Sequence, residues 1–135
     1  MNKKIIAAAS TIAIIAIVLS VTSNSTLDES IISQTIFVDA VYEPKSKIVK
    51  ITYNDNSEKT NLVTLEILGM EKTFHKEFSQ NSFVETIQIN SEPKYGWSTM
   101  PVVFSINHDE FGQIGLKTEI YEQGESKPRI IYSKV

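Results

Sequence analysis

The chain has 135 residues, a formal net charge of −3, 41% hydrophobic residues and no cysteine. The missing thiols exclude disulfide staples, cysteine nucleophiles, thiolate metal sites and an acylated lipoprotein N-terminus. Basic residues are scattered and outnumbered by acids, 13 against 16, which argues against nucleic acid as a partner.

The first feature in chain order is an uncharged run of seventeen residues, 5–21, preceded by Lys3 and Lys4 and followed by Asp28 and Glu29. Residues 1–23 read as a signal-anchor, transmembrane or signal-peptide helix, and the positive-inside bias places the rest of the chain outside the cytoplasm. Seventeen helical residues span roughly 25 Å, short of a hydrocarbon core of about 30 Å. The run is nonetheless longer than an ordinary signal-peptide core of roughly 7–15 residues. Both fates therefore stay open: retention as an anchor, or cleavage after Ser23 with secretion of the remainder.

Residues 24–33 are polar and rich in small side chains, and read as a stalk. Asn24-Ser25-Thr26 is an acceptor triplet for glycan, on the correct side of the membrane. Thr26 or Asp28 is placed to cap a short helical turn through Ile32.

Residues 34–135 form one domain of period-two runs. Ile36, Val38, Ala40 and Tyr42 make the first row, then Val49, Ile51 and Tyr53, then Val63, Leu65 and Ile67. Phe83, Ile87 and Ile89 follow, then Val102, Phe104 and Ile106, then Ile114, Leu116 and Ile120. Successive strand side chains point to opposite sheet faces, so each run buries one row and wets the other. Phe74 and Phe78 are expected to face inward from a further strand. Turn signals separate the runs at Asn54–Ser57, Asn107–Gly112 and Gln123–Pro128. The pattern predicts an all-β fold: a single antiparallel sandwich of the immunoglobulin or fibronectin kind, with about seven to eight strands. The stretch Asn90–Thr99, which holds Pro93, Tyr95, Gly96 and the sole tryptophan, Trp97, departs from the alternation. It reads as a crossover between sheets with an aromatic plugging one end of the core.

Candidate sites are few. His75 and His108, with Met70, Met100 and the acids near Asp109, are the set that an extracytoplasmic copper or zinc site would use. His75 sits in a charged stretch expected on a wet strand face, and His108 falls within a turn signal. No His-x-His or Met-rich cluster joins them, so neither metal nor cofactor is expected. Asp109-Glu110 is the obvious carboxylate pair, but adjacent strand residues point apart, and in a turn both face water. No Gly-x-Ser-x-Gly nucleophile elbow is present. No catalytic residues are assigned. Tyr95 and Trp97 are the candidate partner contacts, because Tyr and Trp are enriched at interaction hot spots; the competing reading of Trp97 is the buried plug. Lys45, Lys47 and Lys50 are expected to guard exposed strand edges against uncontrolled pairing.

The expectation is therefore a non-enzymatic membrane-anchored module that acts by contact with other membrane or envelope proteins, as a homo- or hetero-oligomer. An apolar N-terminal helix followed by a sandwich also resembles the plan of archaeal pilins and archaellum components, which implies a filament subunit or its anchor. Prepilin processing wants a small residue between the lysines and the apolar run, whereas here Lys4 leads directly into Ile5.

Overall fold

The alternation of apolar and polar side chains dictates which faces of the strands meet. In the computed structural model, which describes residues 28–134, that alternation yields nine strands and one short helix. The expected membrane segment, the cleavage position after Ser23 and the glycan acceptor Asn24 lie outside the described residues. In chain order the elements are α1 (Glu29–Thr35), β1 (Ile36–Glu43), β2 (Ile48–Asp55), β3 (Thr60–Ile67), β4 (Phe74–Phe78) and β5 (Ser82–Gln88). A single 3-10 turn (Trp97–Thr99) precedes β6 (Val102–His108), β7 (Gly112–Thr118), β8 (Tyr121–Glu122) and β9 (Ile131–Lys134).

Two sheets result, with strand orders β5-β2-β1-β8 and β4-β3-β6-β7-β9. Every pairing is antiparallel except the two-residue parallel contact of β1 with β8. In the first sheet Val38, Ala40 and Tyr42 stand opposite Tyr53, Ile51 and Val49. In the second, Val63, Leu65 and Ile67 stand opposite Ile106, Phe104 and Val102. These rows face one another and are buried. A one-residue slip of any strand would turn its buried row to water, so the hydrophobic pattern fixes the register. The all-β two-sheet sandwich read from the sequence is what the chain adopts, with Phe74 and Phe78 packed against the core.

The edges differ from expectation. β2 is an interior strand, and Lys45 and Lys47 sit in the β1–β2 turn, so none of the three lysines guards an edge. The protection on one side comes instead from β4 and β5, consecutive strands that form neighbouring edges of opposite sheets. Lys76 and Glu85 lie on the inward parity of these strands and pair at 2.7 Å across the gap. Phe78 stacks on Phe83 beside them at 3.7 Å between ring centres. Inward-pointing charge is one of the ways a sheet edge is kept from adding further strands.

On the opposite side α1 closes the sandwich. Asp28 caps it by accepting a hydrogen bond from the Ile31 amide at 3.3 Å, and Ile32 is buried in the core. A seven-residue helix is marginal by itself, so this burial holds it. Residues 29–33 of the segment read as a stalk thus belong to a helix docked on the sandwich.

Candidate functional site

The strands give the sandwich two poles. At the first, the β2–β3, β4–β5 and β6–β7 turns meet; at the second lie the β1–β2 turn, the β3–β4 connection and the crossover to β6. Each pole carries one set of candidate residues.

The first pole holds a buried polar cluster that the sequence reading missed. Inward parity runs through Val49, Ile51 and Tyr53 to Asp55, and through Val102, Phe104 and Ile106 to His108. The side chains of Asp55 and His108 are both fully buried and lie 3.0 Å apart. The Asp55 carboxylate takes five donors. Oδ1 accepts from the Ser57 amide (2.9 Å) and hydroxyl (2.6 Å). Oδ2 accepts from the Lys59 amide (3.1 Å), the Thr60 hydroxyl (2.7 Å) and His108 Nε2 (3.0 Å). The Tyr53 hydroxyl completes the chain, 2.7 Å from that of Thr60. Burial alone would raise the Asp55 pKa, but the donors from Ser57, Thr60 and Lys59 outweigh it and hold the carboxyl below its ordinary value. Burial is also the main reason the Tyr53 hydroxyl is pushed up to about 12.

His108, Asp55 and Ser57 are the residue types of a nucleophilic triad, but their wiring differs. A triad histidine gives one ring nitrogen to the carboxylate and keeps the other free as base for the hydroxyl. Here Nδ1 accepts from the Glu110 and Phe111 amides at 3.1 and 3.2 Å, which assigns the ring proton to Nε2. That proton points at Asp55 and at Ser57 Oγ, 3.2 Å away. The serine hydroxyl donates to the carboxylate, so the imidazole is not aimed at it as a base. Phe111 stacks on the imidazole at 4.5 Å and covers it. The cluster is a clasp: it satisfies the amides of two turns and ties β2, β3 and β6 together. Asn81 extends it to the β4–β5 turn, accepting from the Thr60 amide through its side chain and from the Asp55 amide through its backbone.

The two histidines singled out in the sequence are not brought together. His108 is a buried residue at the end of β6, a correction to its reading as a loop residue, and both its ring nitrogens are engaged. His75 lies on the outer face of β4, half exposed, 3.8 Å from Glu66 and 3.9 Å from Glu77. Among the described residues no group of three or more His, Cys, Asp or Glu is arranged to hold a metal ion. Asp109 and Glu110 diverge, the first accepting from Asn61 at 2.7 Å and the second facing Lys59 at 3.4 Å.

The second pole carries the crossover. Trp97 packs on Tyr42 with ring centres 4.9 Å apart and is only 8% exposed, so it takes the plug position and not that of a surface contact. Two residues away Tyr95 is 77% exposed. The turn that presents it is braced. The Gly96 amide donates to Pro93 at 2.9 Å, Gly96 adopts φ +90, and Lys94 lies over the Tyr95 ring at 5.4 Å. Alongside, Met70, Met100, Ile89, Gln88, Glu71 and Lys72 line an open groove of about 450 Å³. Its wall depends on Gly69, at φ +81, where a Cβ would strike the carbonyl oxygen of Thr99. Within the groove Met70 and Met100 supply adaptable apolar surface, the kind that accommodates varied partners. No protein family model matches this chain, and neither the curated proteins nor the solved structures contain a match to it.

Proposed function

We propose that this chain is a non-enzymatic, membrane-tethered sandwich that works outside the cytoplasm as an accessory subunit, docking other membrane or envelope proteins on its crossover pole. The observation that carries the reading is Tyr95, an aromatic 77% exposed on a turn fixed from below by a buried tryptophan. A rigidly held tyrosine loses little conformational entropy on contact, which suits it as an anchor. The groove beside it supplies apolar surface for a neighbouring side chain. The wiring of Asp55, His108 and Ser57 favours a binding module over a hydrolase, because the imidazole has no free nitrogen to serve the hydroxyl as base. The tether is read from the uncharged run 5–21 behind Lys3 and Lys4.

The strand order supports the finer reading of the fold as immunoglobulin-like. The constant-domain plan holds strands A, B, E and D on one sheet and C, F and G on the other. Matching β1, β2 and β5 to A, B and E, and β3, β6 and β7 to C, F and G, moves only β4 to the opposite sheet. β8 and β9 are then additions at the far edges.

A photo-crosslinking residue placed at position 95 in the full chain tests the reading, with a matched probe at the exposed Glu58 of the other pole. Irradiation of native membranes is expected to give a discrete adduct from position 95 and none from position 58. No adduct at 95, or the same adduct at both, would overturn it.

A further inference from the structure

We infer that the flank formed by β9 and α1 lies against an anionic lipid surface, so that the tethered domain is oriented by headgroup contact as well as by its linker. The inference rests on the tethered reading and deepens it. Six residues separate Val21, the end of the expected membrane segment, from Asp28. Fully extended, that connection spans about 25 Å at most, so whatever surrounds Asp28 stays within that reach of the headgroups. Asp28 begins α1, and Tyr132 of β9 faces Glu29 and Ser33 of that helix, which brings β9 to the same flank.

The composition of the flank suits a lipid surface. Residues 126–134 carry Lys127, Arg129 and Lys134 and no acid, in a chain whose net charge is −3. Ile131, 57% exposed, stands directly opposite Lys117 on the outer face of the β7–β9 pair. Ile31 of α1 is 47% exposed one turn into the helix. Lys127 lies over the exposed Phe37 ring at 4.3 Å and 3.8 Å from Asp39, so its charge is partly engaged, whereas Arg129, Lys134 and Lys117 are exposed. Acids also border the flank: Asp28, whose carboxylate is turned to its own helix cap, Glu29, and the exposed Glu119 two residues beyond Lys117. The exposed Ile131, with Lys117 opposite it and Arg129 two residues before it, combines interfacial burial with attraction to anionic headgroups, the pairing that peripheral membrane surfaces use. A docked protein is the competing occupant.

The absence of cysteine makes the test clean. Single nitroxide labels are introduced through Ile131→Cys, Tyr95→Cys and Ile14→Cys in the full chain. The labelled proteins are reconstituted in nanodiscs of phosphatidylcholine with phosphatidylglycerol, or of phosphatidylcholine alone. Accessibility is read with oxygen, which partitions into lipid, and with a water-soluble nickel chelate. The expected result is a higher oxygen-to-nickel ratio at 131 than at 95 in the anionic discs, reduced in the neutral discs and by Arg129→Glu with Lys117→Glu. A lipid-exposed label at 14 with an aqueous label at 131 overturns the inference and leaves the tether standing. An aqueous label at 14 removes the tether and the inference together. A label at 131 shielded from both reagents identifies a protein contact and overturns the lipid assignment.

Discussion

The two poles of the sandwich close the same core by opposite means. The turn pole uses polar side chains wholly withdrawn from water, with Asp55 accepting five hydrogen bonds and His108 satisfying two turn amides. The crossover pole uses an aromatic plug, Trp97 on Tyr42, and leaves Tyr95 and a Met-lined groove open beside it. A fully satisfied buried network rigidifies its surroundings, and partial satisfaction is costly. The turn pole is therefore built to hold a fixed shape, while the crossover pole combines a fixed base with an adaptable surface. Residues whose chemistry looks reactive are wired here into turn and strand ties, and the residue proposed as a partner contact is a plain tyrosine.

Breaking the clasp should have the largest effect. Asp55→Ala orphans five donors in a site that excludes water, and a loss of about 3–5 kcal/mol is expected in urea unfolding. Asp55 also sets an acid limit. Its folded-state pKa lies below the ordinary 3.8, so its contribution is complete above that value and disappears as pH falls through the lowered one. Asp55→Asn should flatten the acid limb of a stability–pH profile below about pH 4, whereas an unchanged limb would remove Asp55 from that role.

Removing the plug comes next. Trp97→Ala should cost about 3 kcal/mol, and in the wild-type chain Trp97 emission should be blue-shifted and resistant to acrylamide. Red-shifted, readily quenched emission would place the ring in water and dissolve the contrast between Trp97 and Tyr95.

The outer end of the clasp is a smaller matter. Tyr53→Phe deletes one buried hydroxyl contact, worth about 1 kcal/mol at neutral pH. Because the folded-state pKa of Tyr53 stands at about 12 against 10.0, its contribution is present below pH 10 and drains away as pH rises toward 12. The phenylalanine variant should therefore lose less stability than wild type over that alkaline range.

The smallest effect on stability belongs to Tyr95→Ala, within about 0.5 kcal/mol, as for surface changes away from special features. Its effect on partner capture by the folded domain should be the largest among the four positions. A variant that unfolds the domain, or that binds like wild type, would break the comparison from the other side.

How much of this was legible in the sequence follows from the same physics. Period two is a strong local signal, so Val38, Ile51, Leu65, Phe104 and Leu116 were readable as one interior. Asp55 and His108 obey the same parity, but turn chemistry competes with it: Asn54-Asp55-Asn56-Ser57 and Asn107-His108-Asp109 carry the residues that favour turns. Both segments do turn, two residues later than their composition suggests, and the polar residue at each strand end points inward. Continuing the parity count one step past Tyr53 and Ile106 would have found the pair. Edge assignment was beyond reach, because Lys50 and Lys76 look alike until strand order is known. Whether a crossover tyrosine or its neighbouring tryptophan is exposed depends on the turn at Pro93–Gly96, which alternation does not encode.

The account is tested most directly by amide hydrogen exchange on the full chain, in native membranes and after isolation in gentle detergent. Slow exchange at Ser57, Lys59, Glu110 and Phe111 is predicted in both preparations, with Lys94 and Tyr95 protected only in the membranes. Membrane-dependent protection at the four clasp amides, with Lys94 and Tyr95 equally exposed throughout, would contradict it.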